Sequence, residues 1–286
     1  MFNRILVPLD GSAAASVAVG HALRLGRIFD STIVALYVVD IRMVEGPLLQ
    51  TLGSAWGETP VPIWHDDVLR SLRAHGQDAL DEVVARAEAA PGPGTSAPLP
   101  VETELVTDFP ADAIVERARS ADLVVLGRRG EHAAWGSSPL GSTVHGVVRR
   151  SAKPVLVCPP GEHPPGPALA AYDGSEHAIR ALEVAVRYAE RAATPLHVVS
   201  VQTDREEAER LVEEARVFSR GHGLEPEVHV REDDDPAPHI LGVARQAGAD
   251  VIVMGAFGKG RLRKLFVGST TETVLSSFDH PVLLYR

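Results

Sequence analysis

Short apolar runs alternate with amphipathic stretches along most of this chain. Runs such as Arg4–Leu9 and Asp122–Leu126 lack the apolar–polar alternation of a half-buried strand, so they predict strands that are buried on both faces. Other segments carry apolar side chains at helical spacing; within Glu176–Arg191, for example, Leu182 and Val186 fall on one face. This alternation of strands and helices predicts an α/β fold with a parallel sheet.

The pattern predicts strands and helices in both halves of the chain. The predicted strands of the first half are Arg4–Leu9, Ile33–Val39, Val101–Val106, Asp122–Leu126 and Pro154–Cys158. Those of the second half are Leu169–Tyr172, Leu196–Val201, Val228–Val230, Asp250–Met254 and Pro281–Tyr285. The longer predicted helices are Asp66–Ala89, Ala111–Arg119, Glu176–Arg191 and Glu206–Arg220. Residues 41–65, with several prolines and glycines, interrupt the rhythm; they either cover a site or an interface, or form a surface insertion without a role.

The two halves of the chain repeat one another. The repeated segments are the Asp-Gly-Ser turns 10–12 and 173–175, the glycine loops 127–130 and 255–258, and the Gly-Ser-Thr triplets 141–143 and 268–270. A length of 286 residues accommodates about two domains. We therefore predict a duplicated domain, residues 1–159 and 168–286, with a proline- and glycine-rich linker at residues 160–167.

The expected topology brings the Asp-Gly-Ser turn and the glycine loop of each half together. Five βα units with right-handed crossovers commonly give the strand order 3-2-1-4-5, which reverses between strands one and four. Ligands of open parallel sheets bind at the carboxyl edge of such a reversal. The turn follows strand one and the loop follows strand four, so the two segments should flank one crevice.

The residue types in this crevice suit a nucleotide. A glycine loop and the start of a helix favour phosphate, whereas Asp10 and Asp173 would repel it and belong near a base or ribose hydroxyls. Val38 and Val201 end strand two and would contact the base. The alternative is that the aspartates only form Asx turns and that Ser269 only caps a helix.

Composition narrows the range of partners. The net charge of −10 argues against general binding to nucleic acid or to anionic membranes, because both need a basic face. No apolar run reaches the ~18 residues of a membrane span, and the first residues lack the organisation of a signal peptide. Cys158 is the only cysteine, which excludes an intramolecular disulfide and a cysteine metal cluster. We therefore expect a cytoplasmic protein without a nucleic-acid or membrane partner.

These motifs resemble those of tandem universal stress proteins over nearly the whole chain. The family signature, Gly-x2-Gly-x9-Gly-Ser/Thr after strand four, is matched by Gly255, Gly258, Gly268 and Ser269. The first half departs from it, because ten residues separate Gly130 from Gly141. The resemblance implies a Rossmann-like, adenine nucleotide alpha hydrolase-like fold in each half. It also implies ATP as the ligand, with or without Mg²⁺.

The resemblance assigns one nucleotide site to each half. In the first half, the candidate nucleotide-binding residues are Pro8, Asp10, Val38, Gly127, Arg128, Gly130, Gly141, Ser142 and Thr143. In the second half, they are Asp173, Val201, Gly255, Gly258, Lys259, Gly268, Ser269 and Thr270. We assign no residue to catalysis or to a metal.

Three functions remain open from the sequence. The first is an ATP-binding regulatory protein of the universal stress response, with a protein partner that the sequence does not identify. The second is a slow ATPase or an adenylating enzyme, although no motif places a nucleophile beside a base. The third is an interaction module with a vestigial crevice. We also expect the halves to pair as an intramolecular pseudo-dimer through their last strands, with a homo-oligomer as a further alternative.

Overall fold

The computed structural model describes residues 2–42, 62–89, 97–130, 140–161, 164–256 and 268–286. The strands of the first half are β1 (Arg4–Leu9), β2 (Thr32–Asp40), β3 (Val101–Asp108), β4 (Leu123–Gly127) and β5 (Val155–Cys158). Its helices are α1 (Ala13–Phe29), α2 (Pro62–Ala89), α3 (Pro110–Ala118) and α4 (Ser142–Arg150). The strands of the second half are β6 (Ala168–Ala171), β7 (Leu196–Gln202), β8 (Glu227–Glu232), β9 (Val251–Gly255) and β10 (Val282–Tyr285). Its helices are α5 (Glu176–Ala192), α6 (Arg205–Gly221), α7 (Pro236–Ala247) and α8 (Ser269–Ser277).

The strands form one ten-stranded sheet with the order β3-β2-β1-β4-β5-β10-β9-β6-β7-β8. Within each half the strands are parallel, and their order is 3-2-1-4-5. The predicted α/β class is therefore confirmed. The strand order reverses between β1 and β4 in the first half and between β6 and β9 in the second, which places one topological switch point in each half.

The two halves meet through their last strands. β5 and β10 pair antiparallel, with Leu283 opposite Leu156 and Val282 opposite Val157. All four of these side chains are buried. Each strand would be an exposed sheet edge in an isolated half, so their pairing covers both edges at once.

Apolar side chains cover both faces of the sheet, as the continuous apolar runs predict. In β1, Ile5, Leu6 and Val7 are all fully buried, although neighbouring side chains point to opposite faces. Residues of α1, α2, α5 and α6 belong to the core on one face of the sheet. Residues of α3, α4, α7 and α8 belong to the core on the other face. Each of these two cores continues from one half into the other.

The bounds of several elements differ from the sequence prediction. β3 extends past Val106 to Asp108, because its ladder with β2 continues to the pair Asp40 and Asp108. After β8, the side chain of Asp235 caps the start of α7. Most of the predicted insertion, residues 43–61, lies outside the described residues. Among the helices that are described, none is long and apolar enough to cross a membrane.

Candidate functional site

A crevice of about 410 Å³ opens at the carboxyl edge of the sheet in the second half. It lies at the switch point, where the ends of β6 and β9 diverge and the start of α8 faces them. The predicted site residues that line it are Asp173, Val201, Gly255, Gly268, Ser269 and Thr270. The sequence predicted that these strand ends, the turn and the helix start meet at one crevice, and in the structure they do. Gly258 and Lys259 lie outside the described residues.

The start of α8 has no side-chain cap. Gly268 occupies the N-cap position with an extended backbone, φ −60° and ψ 147°, and Ser269 is already the first helical residue. By contrast, Ser175 caps α5 by accepting a hydrogen bond from the backbone N–H of Ala178 at 3.2 Å. The idea that Ser269 merely caps the helix is therefore wrong. Within the described part of the chain, no side chain caps the first-turn N–H groups of α8, and the positive end of a helix favours an anion.

The glycines of the motif have two different roles. Among the described residues, the nearest atom to a Cβ added at Gly268 would be the Thr271 hydroxyl oxygen, 3.9 Å away. A Cβ atom on Gly255 would lie 3.0 Å from Cβ of His177 in α5. On Gly127 it would lie 2.6 Å from the backbone oxygen of Ala14 in α1. Gly255 and Gly127 therefore allow helices to pack on strands, whereas Gly268 keeps the crevice open.

The two aspartates form the same turn in both halves. One carboxylate oxygen of Asp10 accepts the backbone N–H of Ser12 at 3.0 Å, and Asp173 accepts that of Ser175 at 2.9 Å. The glycines between them, Gly11 and Gly174, have φ of 79° and 74°, which side-chain-bearing residues rarely adopt. The Asx-turn alternative is therefore correct as local geometry. Asp173 also lines the crevice, so the turn directs a carboxylate to the proposed site.

The first half repeats this arrangement as far as it is described. Gly141 is the N-cap of α4 and, like Gly268, provides no side-chain cap. Its backbone N–H donates to the carbonyl of Arg128 at 3.1 Å, which ties the helix start to the glycine loop. A Cβ atom on Gly130 would collide with the carboxylate of Asp10, so the loop and the turn are in direct contact. Pro8 and Val38 are buried in β1 and β2, and Ser142 and Thr143 open α4.

Arg128 extends away from its own loop to the other half of the chain. Its guanidinium donates to the carbonyls of Leu275 and Phe278, at 3.2 and 2.9 Å, where α8 ends. Burial lowers the pKa of Arg128, and the nearby Asp279 opposes this effect. These contacts stabilise the carboxyl end of a helix. The assignment of Arg128 to a phosphate stays a prediction without support from its contacts.

Two acidic residues that line the second crevice, Asp233 and Asp234, were not among the predicted nucleotide-binding residues. The backbone N–H of Asp235 donates to Asp233 at 3.0 Å, and the ring of His239 lies 2.8 Å from its other oxygen. These two contacts, in that order, lower the pKa of Asp233 to about 2. The available signal was the position of this acidic run, directly after the third strand at the carboxyl edge of the sheet.

The family profile of universal stress proteins matches this chain twice, over residues 1–159 and 166–286. The chain belongs to the universal stress protein family. A universal stress protein of Synechocystis sp. is 29% identical over 298 residues, which cover 99% of this chain and 100% of the relative. One from Mycobacterium bovis is 27% identical over 304 residues, which cover 99% and 96%.

A solved structure of this family shares the fold. The universal stress protein of Archaeoglobus fulgidus superposes with a TM-score of 0.75 at 23% identity, and the match covers 99% of this chain and 96% of that one. The resemblance drawn from the motifs is thereby confirmed, and this universal stress protein has the tandem organisation of its relatives.

Proposed function

We propose that this universal stress protein binds an adenine nucleotide, ATP, in the crevice of its second half and in the corresponding crevice of its first. The observation that carries the proposal is the uncapped start of α8 at Gly268, which faces a crevice at the switch point of the sheet. Backbone N–H groups and the positive end of a helix recognise phosphate, and the missing side chain at Gly268 allows close approach.

The polarity of the crevice sets the direction of the nucleotide. The phosphates lie at the start of α8, beside Ser269 and Thr270. The carboxylates of Asp173, Asp233 and Asp234 line the same crevice and would repel phosphate, so they lie nearer the base and the ribose, whose hydroxyls donate to carboxylates. Val201 supplies an apolar contact to the base. Mg²⁺ would accompany the phosphates and has no designated ligand among the predicted residues.

The regulatory function is preferred to an enzymatic one. Phosphoryl transfer needs a positioned acceptor and a metal clamp, and no motif of this chain supplies them. We therefore expect any hydrolysis of ATP to be slower than the ~1 s⁻¹ that marks the lower end of ordinary enzymes. The nucleotide would then act as a signal that a protein partner reads. The antiparallel pairing of β5 with β10 supports an intramolecular pseudo-dimer as the form that carries both sites.

The test begins with the ligand that the protein retains from the cell. Protein freshly purified without added nucleotide is denatured, and the released small molecules are identified by mass spectrometry. We expect ATP or another adenine nucleotide, in an amount that falls in a Gly268→Val variant. Steady-state turnover of ATP, with and without Mg²⁺, separates the regulatory protein from an ATPase. Equilibrium binding of ATP separates it from an interaction module, because a vestigial crevice would bind none.

A further inference from the structure

Two histidines and a glutamate face one another on β7 and β8 of the second half. His197 in β7 is the ladder partner of Glu227 in β8, and His229 lies two residues after Glu227. Alternate residues of a strand share a face, so all three side chains stand on one side of the sheet. These three residues lie near the amino ends of β7 and β8, whereas the nucleotide crevice lies at the carboxyl ends of the strands.

The distances within this group are those of a metal site. Nδ1 of His197 and Nε2 of His229 are 3.3 Å apart. The Glu227 oxygens lie 3.6 Å from the first of these nitrogens and 3.8 Å from the second. Atoms that bind zinc at about 2.0–2.1 Å in a tetrahedron are separated from one another by about 3.3–3.4 Å. The two nitrogens already have this spacing, and a shift of a few tenths of an ångström brings in the carboxylate.

We propose that His197, His229 and Glu227 form a binding site for a zinc ion. Two imidazoles and one carboxylate suit a borderline divalent ion such as Zn²⁺ better than Mg²⁺ or Ca²⁺, which prefer oxygen. Three protein ligands leave the fourth tetrahedral position to water or to an external ligand. The nearest nucleotide contact in the same strand is Val201, four residues or about 13 Å further along, so this ion is separate from the nucleotide.

The exposure of the three side chains suits a site that an ion can enter from solvent. The side chains of His197 and His229 are each only 10% exposed, whereas that of Glu227 is 69% exposed and leaves a route from solvent. Burial lowers the pKa of His229, and the nearby Glu227 opposes this effect. The neutral imidazole is the form that ligates. With zinc on Nδ1 of His197 and Nε2 of His229, each ring would carry its proton on its other nitrogen.

The first half shows that the fold does not require these residues. Val38 and Val201 occupy matching places in the two halves, so Val34 corresponds to His197. The ladder partner of Val34 is Glu102, and two residues further stands Glu104 in place of His229. Each of these glutamates forms an ion pair with an arginine: Glu102 with Arg4, and Glu104 with Arg117. The histidine pair is therefore a feature of the second half alone.

The test measures zinc binding by the full-length protein, purified without a polyhistidine tag and freed of metal. Competition for Zn²⁺ against a chromophoric chelator gives the affinity, and the visible spectrum of added Co²⁺ reports tetrahedral coordination. We expect His197→Val and His229→Ala to weaken the wild-type affinity at least about 100-fold, since loss of an outer-shell partner alone weakens metal binding about 10–100-fold. Valine already stands at the matching place in the first half, so His197→Val suits the fold.

Two further variants keep the test decisive. Glu227→Gln changes an exposed side chain, preserves the fold and should weaken zinc binding at least about tenfold. The control is His239→Gln. His239 also lies beside a carboxylate, that of Asp233, but this pair does not include a second histidine. The control variant should bind zinc as the wild type does. Equal zinc affinity in wild type, His197→Val and Glu227→Gln would overturn the proposal.

Discussion

At the scale of single residues, the glycine motif combines two requirements that the sequence cannot separate. Spacing alone identifies Gly127, Gly255 and Gly268 as one signature, and all three were expected to serve the ligand. Only the structure shows that a helix packs against Gly127 and another against Gly255, because the contacting atoms come from residues distant in sequence. Gly268 has no such neighbour, which makes it the most informative position for testing the site.

The packing role of Gly127 leads to a stability prediction. In Gly127→Ala, the new methyl group would lie 2.6 Å from the backbone oxygen of Ala14, and backbone cannot move aside as a flexible side chain does. We expect unfolding in urea to show a loss of about 1–3 kcal/mol, the usual effect of overpacking. The control is Gly242→Ala in α7, where an added Cβ meets nothing within 4 Å. That variant should be neutral or gain up to about 1 kcal/mol. Equal stability of the two variants would contradict this account of Gly127.

Asp233 gives the protein a stability contribution that depends on pH. Its pKa is about 2 in the folded protein against an ordinary 3.8, so the contribution is complete above the ordinary value and is lost as the pH falls toward 2. We expect the difference in urea midpoint between wild type and Asp233→Asn to shrink between about pH 5 and about pH 2. His239→Gln removes the smaller of the two causes and should reproduce part of the effect. A difference that stays constant over this range would exclude the assignment.

At the scale of elements, the strands were predictable, whereas side-chain contacts between the halves were not. Continuous apolar runs locate the strands to within one or two residues, because a strand buried on both faces has no polar alternation. Contacts of the Arg128 side chain were not predictable. Its partners Leu275 and Phe278 lie 147 and 150 residues away, and helix-end carbonyls carry no sequence signal.

Arg128 stabilises α8 from the opposite half. Replacing Arg128 with alanine removes two hydrogen bonds from a charged donor to the carbonyls that end α8, so we expect a loss of about 1.5–3 kcal/mol in the free energy of unfolding. The matched control is Arg119→Ala, which removes an exposed pair with Glu116 and should cost less than about 1 kcal/mol. Chemical denaturation of both variants measures the difference. A loss no larger than that of the control would show that these contacts contribute little.

At the scale of the whole molecule, the repeated motifs revealed the duplication, and pairing of the halves through their last strands was expected; the structure adds the register of that pairing and the single ten-stranded sheet. The pairing of β5 with β10 buries two edges that neither half protects alone. Residues 1–161 and 164–286, expressed separately, should therefore associate when mixed or self-associate through the same edges. Analytical ultracentrifugation checks this. Stable monomers of both pieces without mutual affinity would contradict the pseudo-dimer. The cytoplasmic location inferred from composition stays a prediction.

The two nucleotide sites should differ in affinity, with the second at least as tight as the first. The glycine spacing of the second half is that of the family, whereas the first has one residue more between Gly130 and Gly141. Pro8 argues in the other direction, because the family resemblance assigns it to the first site, whereas the second half has Ala171 at the matching place and no proline. Gly141 and Gly268 occupy the N-cap positions of α4 and α8, so the same substitution can be compared at the two sites.

Calorimetric titration of ATP tests the central claim most directly. The proteins are wild type, Gly268→Val, Gly141→Val and the control Gly242→Val, each with its folding checked by circular dichroism. Gly268 has φ −60°, and an added Cβ would have no described atom closer than 3.9 Å, so valine should block the phosphates without disturbing the fold. We expect Gly268→Val to lose the tighter of two binding events, or the only one, and Gly242→Val to bind as wild type does. Intact binding in Gly268→Val, together with its loss in Gly141→Val, would contradict the account.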